Sequence, residues 1–314
     1  MRIKSLARIL TSILGPVIFG LALWSISIEL RGYNFEDVLD GIERIETGQL
    51  LQAFLLTWIS YGAVSCYDLI SFRYIKSELA FPKIALVGFI TYAISPTVGF
   101  PFLTAGALRY RLYPTWGISA GQVAQVILFS NLSLWVGLFS IGGLSLSLTS
   151  SPIPEELEVP FHSLQPLGGI CILLTAIYLL LCQRMNSPIQ WRSYIFHFPS
   201  LKIALAQILT FAVDWGAASA ALYSLFSFSD QFSYLEFFGA YVIGMVAGLI
   251  STVPGGLGVF ETIMIFFLSI FLPNPVILGT ILIFRLIYYI IPLGIAILFL
   301  GGFEIYQRLQ PSQQ

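Results

Sequence analysis

The sequence predicts an all-α fold: a polytopic membrane helix bundle of about six full spans plus two broken re-entrant helical hairpins in an inverted repeat. Three observations carry this. The 314 residues are 57% hydrophobic and only 10% charged, where soluble domains carry about 25% charged residues. The Lys and Arg residues are spaced so that one particular number of crossings keeps them on one side. Two apolar segments are interrupted, at Ser95-Pro96-Thr97-Val98-Gly99-Phe100-Pro101 and at Val253-Pro254-Gly255-Gly256-Leu257-Gly258-Val259-Phe260-Glu261. Pro removes a backbone donor and clashes with the preceding turn, and clustered Gly is a poor helix former. Backbone freed in this way at membrane depth survives only where protein or a water-filled cavity satisfies it.

Taken in order, the apolar segments are 9–28, 50–72, 84–108, 121–148, 166–183, 203–226, 234–272 and 276–300. The first follows Arg2, Lys4 and Arg8 and is about as long as a full span, so it reads as an uncleaved helix with a cytoplasmic N-terminus. Loop 29–49 is acidic, with Glu29, Glu36, Asp37, Asp40, Glu43 and Glu46, and is placed outside. Arg73, Lys76 and Lys83 bring the chain back inside. If 84–108 crossed once, Arg109 and Arg111 would lie outside and the loop bearing Glu155, Glu156 and Glu158 inside, and later loops would break the positive-inside rule as well. If 84–108 enters and leaves on the cytoplasmic side, turning at Ser95–Pro101, those loops obey it. About 25 residues cannot supply two spans of ~20 each. Segment 234–272 is long enough for two short spans or a second hairpin, and charge does not separate these. In this layout Arg31 and Arg44 are outside, Arg285 is within the membrane, and the remaining bases and the C-terminus are cytoplasmic.

The segments around Ser95-Pro96 and Ser251-Thr252-Val253-Pro254 lie about half the chain apart. Three full spans separate them, an odd number, so the second hairpin would enter from the opposite face. That is the plan of many secondary transporters, whose sites form where two broken elements meet near the midplane. We therefore expect one membrane domain over 1–314, with repeat halves 1–157 and 158–314.

Composition excludes other classes. A net charge of −1 offers nucleic acid no basic surface. Cys66, Cys171 and Cys182 lie in apolar runs without metal-type spacing, and His162 and His197 stand apart from acidic clusters, so no metal or other cofactor is expected. There is no Walker loop, dinucleotide fingerprint or nucleophile–base motif.

Charges inside lipid are functional candidates by default. Arg285, well inside the last span, carries a planar fork suited to phosphate, or else forms an internal pair with Asp214 or Glu261. Glu261 stands in the first turn after Gly258, where a helix N-terminus favours an anion, or contacts a cationic group. Asp214 is mid-span with no cap to explain it. Asp68 is a further candidate, or reaches the interface beside Arg73. Gly255, Gly256 and Gly258 either let backbone N–H groups approach an anionic ligand or allow tight helix packing. Arg109 and Arg111 collect anionic headgroups at the cytoplasmic mouth or simply anchor the chain. Gln125 and Asn131 are expected to hydrogen-bond between helices.

Pro254 to Glu261, Ala107-Leu-Arg-Tyr-Arg-Leu-Tyr113, Tyr67-Asp68 with Phe72-Arg73-Tyr74, and Phe284-Arg-Leu-Ile-Tyr-Tyr-Ile-Ile-Pro292 resemble the membrane region of the lysylphosphatidylglycerol synthase/flippase proteins and the UPF0104 membrane proteins that share it. The resemblance covers nearly the whole chain. It implies an inner-membrane lipid translocase, with membrane phospholipid as partner, for an anionic or aminoacylated headgroup. In full-length relatives a separate cytosolic domain makes the aminoacylated lipid. This chain stops about where that domain would begin, so synthase activity is not expected. Two other readings stay open: an accessory membrane subunit working with a lipid-modifying enzyme, and a lipid-linked glycosyl or aminoacyl transferase. Oligomeric state is not legible.

Overall fold

The structure is a computed structural model that describes residues 35–148, 163–185, 189–191, 194–226, 233–251 and 253–309. Segment 9–28, the bases Arg2, Lys4, Arg8, Arg31 and Arg192, the acids Glu155, Glu156 and Glu158, and His162 lie outside those residues. The described chain is helical apart from one small antiparallel ribbon. Its elements are α1 (Phe35–Glu43), α2 (Thr47–Tyr74), α3 (Phe81–Val98), α4 (Pro101–Leu112), α5 (Ala120–Leu148), α6 (Gln165–Arg184), β1 (Ile189–Trp191), β2 (Tyr194–Phe196), α7 (Leu201–Leu225), α8 (Tyr234–Ser251), α9 (Val259–Leu268) and α10 (Asn274–Gln307). Seven of these, namely α2, α3, α5, α6, α7, α8 and α10, are long and apolar enough to cross a membrane. The protein is a multi-pass membrane helix bundle.

Local chemistry sets the boundaries. Ser119 caps α5, its hydroxyl accepting from the Gln122 N–H while the Gln122 side chain accepts from the Ser119 N–H. Pro stands in the first turn of α3, α4, α6 and α10, where its missing N–H is not needed. Small residues let helices approach closely, which is how membrane helices associate when lipid is as apolar as Leu. α2 packs along α7, with Ala53 clustered against Ala218 and Ala221. Gly137 of α5 lies so near the Phe211 ring of α7 that a Cβ would overlap it. Within α5 and α10, single π-helical turns at Leu138–Gly142 and Leu286–Ile290 shift the register of side chains that follow.

The first break is a hairpin. α3 carries Pro96 internally and ends at Val98. Gly99 (φ 84°) and Phe100 (φ 48°) then reverse the chain, and α4 packs back on α3. Both ends of this hairpin lie at the C-terminal end of α2. Ile84, Leu112 and Tyr113 share a buried cluster with Phe72, and Lys83 Nζ sits 5.5 Å from the centre of the Trp116 ring.

The second break is also a helix–turn–helix, with α8 itself long and apolar enough to cross a membrane. α8 starts at the other end of α2. Gln49 Nε2 donates to the Phe226 carbonyl at 3.4 Å, and Phe226 packs on Phe237. After Ser251 the chain turns through Pro254–Gly256, with Gly255 and Gly256 at φ 66° and 62°, and α9 returns along α8 with Phe260 against Tyr241. Leu268, at the end of α9, belongs to the buried cluster that holds Ala53, Phe226 and Phe237. The hairpins thus enter from opposite ends of α2, and the Pro254–Gly256 turn packs against α3.

Candidate functional site: a cavity between two helix breaks

Where the two hairpins approach each other they leave a cavity of about 160 Å³. It is bounded by Tyr61 and Val64 of α2, Tyr92, Ser95 and Pro96 of α3, Phe102, Ala105 and Arg109 of α4, Ser130, Asn131 and Leu134 of α5, Asp214, Trp215 and Ala218 of α7, Tyr241, Met245 and Leu249 of α8, and Tyr288 and Tyr289 of α10. Apolar and aromatic walls with a few convergent polar groups are the ordinary character of a ligand site. Two formal charges line it, Arg109 and Asp214.

Arg109 projects from α4 and is held by Asp68 of α2. Its Nε donates to both carboxylate oxygens at 3.1 and 3.0 Å, and its Nη2 to Oδ1 at 2.7 Å. Tyr113 donates to the other side of the same carboxylate at 2.6 Å. All three residues are buried. A bidentate fork of this kind fixes orientation as well as charge. The Arg109 guanidinium also lies 5.4 Å from the centre of the Tyr92 ring, which stacks on Tyr67. Asp68 therefore does not reach the interface beside Arg73; it is an interior anchor for the first hairpin.

Asp214 comes from the middle of α7 and is 5% exposed. Ser60 donates to its Oδ1 at 2.6 Å and Tyr67 to its Oδ2 at 3.2 Å. Ser60 also shares a 2.7 Å hydrogen bond with the Tyr288 hydroxyl, and Tyr61 donates to the Tyr288 carbonyl at 3.1 Å. The π turn in α10 carries both Tyr288 and Tyr289 to the cavity wall. Among the described residues, Asp214 takes part in no ion pair, whereas Asp68 and Glu261 each have an arginine.

Arg285 pairs with Glu261 rather than with Asp214. Its Nε donates to Glu261 Oε1 at 2.6 Å, its Nη2 also approaches that oxygen, and its Nη1 donates to the Gly255 carbonyl at 2.9 Å. Glu261 in turn accepts from the Gly258 N–H at 2.9 Å. The Gly256 N–H donates to the Val253 carbonyl at 2.9 Å. The tip amides of Gly256 and Gly258 are thus already engaged within the protein, and Arg285 ties α10 to the turn. Its guanidinium lies 5.8 Å from the centre of the Tyr289 ring, behind the cavity wall. Gly256 also approaches Gly248 closely enough that a Cβ would come within 3.1 Å of backbone. Arg111, two residues from Arg109, faces away and pairs with Glu304 at a part-exposed position.

Asn131 lines the cavity, and Gln125 is exposed. The residues that sequence reasoning did not single out are Ser60, Tyr61, Tyr92, Trp215 and Tyr241, and it gave Ser95 and Tyr288 no place in a site. One signal was available: Thr57, Ser60, Tyr67 and Ser71 repeat at helical spacing in an otherwise apolar helix, and all four are buried. The Ser95 hydroxyl, buried at the break, has no hydrogen-bond partner among the described residues.

Comparison with known proteins adds the following. The family model described as the lysylphosphatidylglycerol synthase TM region matches residues 12–296. An uncharacterized protein of Synechocystis is 39% identical over 314 residues, covering 99% of this chain and 97% of the relative. Inner membrane protein YbhN of Escherichia coli is 28% identical over 295 residues, covering 93% and 91%. A phosphatidylglycerol lysyltransferase of Staphylococcus aureus is 26% identical over 283 residues, covering 88% of this chain but 32% of that enzyme. The chain spans about a third of the lysyltransferase's length.

Proposed function

This chain belongs to the lysylphosphatidylglycerol synthase TM-region family, and from that premise we propose that it is a lipid translocase of the bacterial inner membrane, acting on an anionic or aminoacylated phospholipid. The observation that carries this reading is that Arg109 and Asp214, one of each charge, line one aromatic-walled cavity between the first helix break and α8. Arg109, pre-oriented by Asp68, supplies a fork for a headgroup phosphate. Asp214 supplies the complementary charge for an amine. Arg285, Glu261 and the glycine turn hold the second hairpin in position behind that cavity, and Arg111 lies at the hairpin's outer end. In this reading both termini are cytoplasmic, the halves 1–157 and 158–314 are an inverted repeat, and alternating access comes from one hairpin moving against the other.

The test is leaflet sidedness in proteoliposomes carrying a fluorescent phosphatidylglycerol. Protein-dependent movement that Arg109→Lys slows supports the reading; equal rates with and without protein sink it. One observation favours a second reading, an accessory membrane subunit: the lysyltransferase relative carries the matching region as 32% of a longer protein. That reading expects stable co-purification with a lipid-modifying enzyme and no lipid movement by the isolated chain.

A further inference from the structure

Among the described residues, Asp214 differs from the other buried carboxylates in having only hydroxyl partners. An ionised carboxylate taken out of water without a cation carries a desolvation penalty of several kcal/mol, and a buried charge that lacks a partner relieves that penalty by taking up a proton. The surroundings of Asp214 suit both forms. In the ionised form Ser60 and Tyr67 donate to it. In the protonated form its own O–H needs an acceptor, and Ser60 Oγ, 2.6 Å away, becomes one when the serine hydroxyl turns toward Tyr288 Oη at 2.7 Å. The short chain Asp214–Ser60–Tyr288 therefore reverses direction without moving a heavy atom, and Asp214 and Tyr288 both line the cavity.

From this geometry we propose that Asp214 is a proton-exchange site open to the cavity, and that headgroup movement is coupled to its protonation. The step is balanced: an O–H bond of a hydronium ion in the cavity breaks as the carboxyl O–H of Asp214 forms, leaving neutral water, and the reverse transfer to water occurs when the cavity faces the other side. The groups facing Asp214 favour a proton over a metal cation. Tyr61 and Tyr67 approach from α2, Tyr92 from α3, Arg109 from α4, Tyr241 from α8, and Tyr288 and Tyr289 from α10. α5 presents Ser130 and Asn131, which do not titrate. The charged neighbour across the cavity, Arg109, is a cation, which disfavours a bound Na⁺ beside it.

The coupling part of this proposal rests on the translocase reading, so two measurements are needed. Infrared titration of the purified full chain reads the acid directly: a carboxylic-acid C=O band that appears as pH falls and is missing in the isosteric variant Asp214→Asn supports the site, and its absence from the wild type overturns it. In phosphatidylcholine vesicles carrying fluorescent phosphatidylglycerol, an imposed pH gradient is expected to raise the wild-type initial rate several-fold, with no response in Asp214→Asn and none to a Na⁺ gradient. Wild-type movement indifferent to the pH gradient, or driven by Na⁺ instead, overturns coupling and leaves the translocase standing. No wild-type movement at all overturns the translocase and the coupling together, and the infrared band still decides the proton site.

Discussion

Arg285 and Glu261 stand 24 positions apart in sequence and meet across the second helix break, with Arg285 Nε donating to Glu261 Oε1 at 2.6 Å. The same arginine reaches the Gly255 carbonyl, and the same glutamate accepts the Gly258 N–H. One ion pair thus satisfies backbone groups that the proline and glycines release. Both side chains are buried, so their partnership matters more to the shape of the turn than a surface pair would.

Removing one member leaves an uncompensated buried charge. Glu261→Ala and Arg285→Ala are each expected to destabilise the protein by about 3–5 kcal/mol, read as loss of thermal stability in detergent. The double replacement Glu261→Met with Arg285→Met should recover part of that loss. Additive single and double effects would show that the pair is not coupled.

Arg109 and Arg111 are two residues apart and provide an internal contrast. Arg109→Ala strands the buried Asp68 carboxylate and should cost about 3–5 kcal/mol. Arg111→Ala breaks a part-exposed pair with Glu304 and should cost about 0.2–1 kcal/mol. Thermal unfolding of the two variants side by side checks the ranking, and equal losses would contradict the burial difference.

Gly256 adopts φ 62° and faces Gly248 across a backbone contact. Gly256→Ala should therefore be destabilising twice over, by about 1–2 kcal/mol for the left-handed backbone and by about 1–3 kcal/mol for the overpacked contact. Gly248→Ala meets only the second cost. Unfolding midpoints that rank Gly256→Ala below Gly248→Ala bear this out.

Ser119, just beyond the first hairpin, and Ser233, just before the second, are both exposed at opposite ends of the bundle. In a cysteine-free background, Ser119→Cys and Ser233→Cys should react with a membrane-impermeant thiol reagent from opposite faces. Labelling of both from one face would refute the opposed entry of the two hairpins.

Composition and charge spacing were enough to assign a membrane helix bundle, because apolar content and the placement of Lys and Arg act on the whole chain regardless of how helices pack. The breaks at Ser95–Pro101 and Pro254–Glu261 were legible for a local reason: Pro and clustered Gly cannot continue a helix. A re-entrant hairpin and two short spans over 234–272 place the same charges on the same sides, so charge spacing did not separate them. The fold added where that segment sits, with Phe226 on Phe237 and Phe260 on Tyr241. Partner choice was likewise beyond the sequence. Asp68 has Arg73 five residues away but meets Arg109, and Arg285 takes Glu261 and leaves Asp214 to Ser60 and Tyr67. Those pairings depend on which helix faces lie opposite each other, and that is set by close packing of small residues across α2 and α7 and by the π turn in α10. The sequence named the charges that lipid would not tolerate; tertiary contact alone determined that one of them, Asp214, meets hydroxyls rather than an arginine and shares a cavity wall with Arg109.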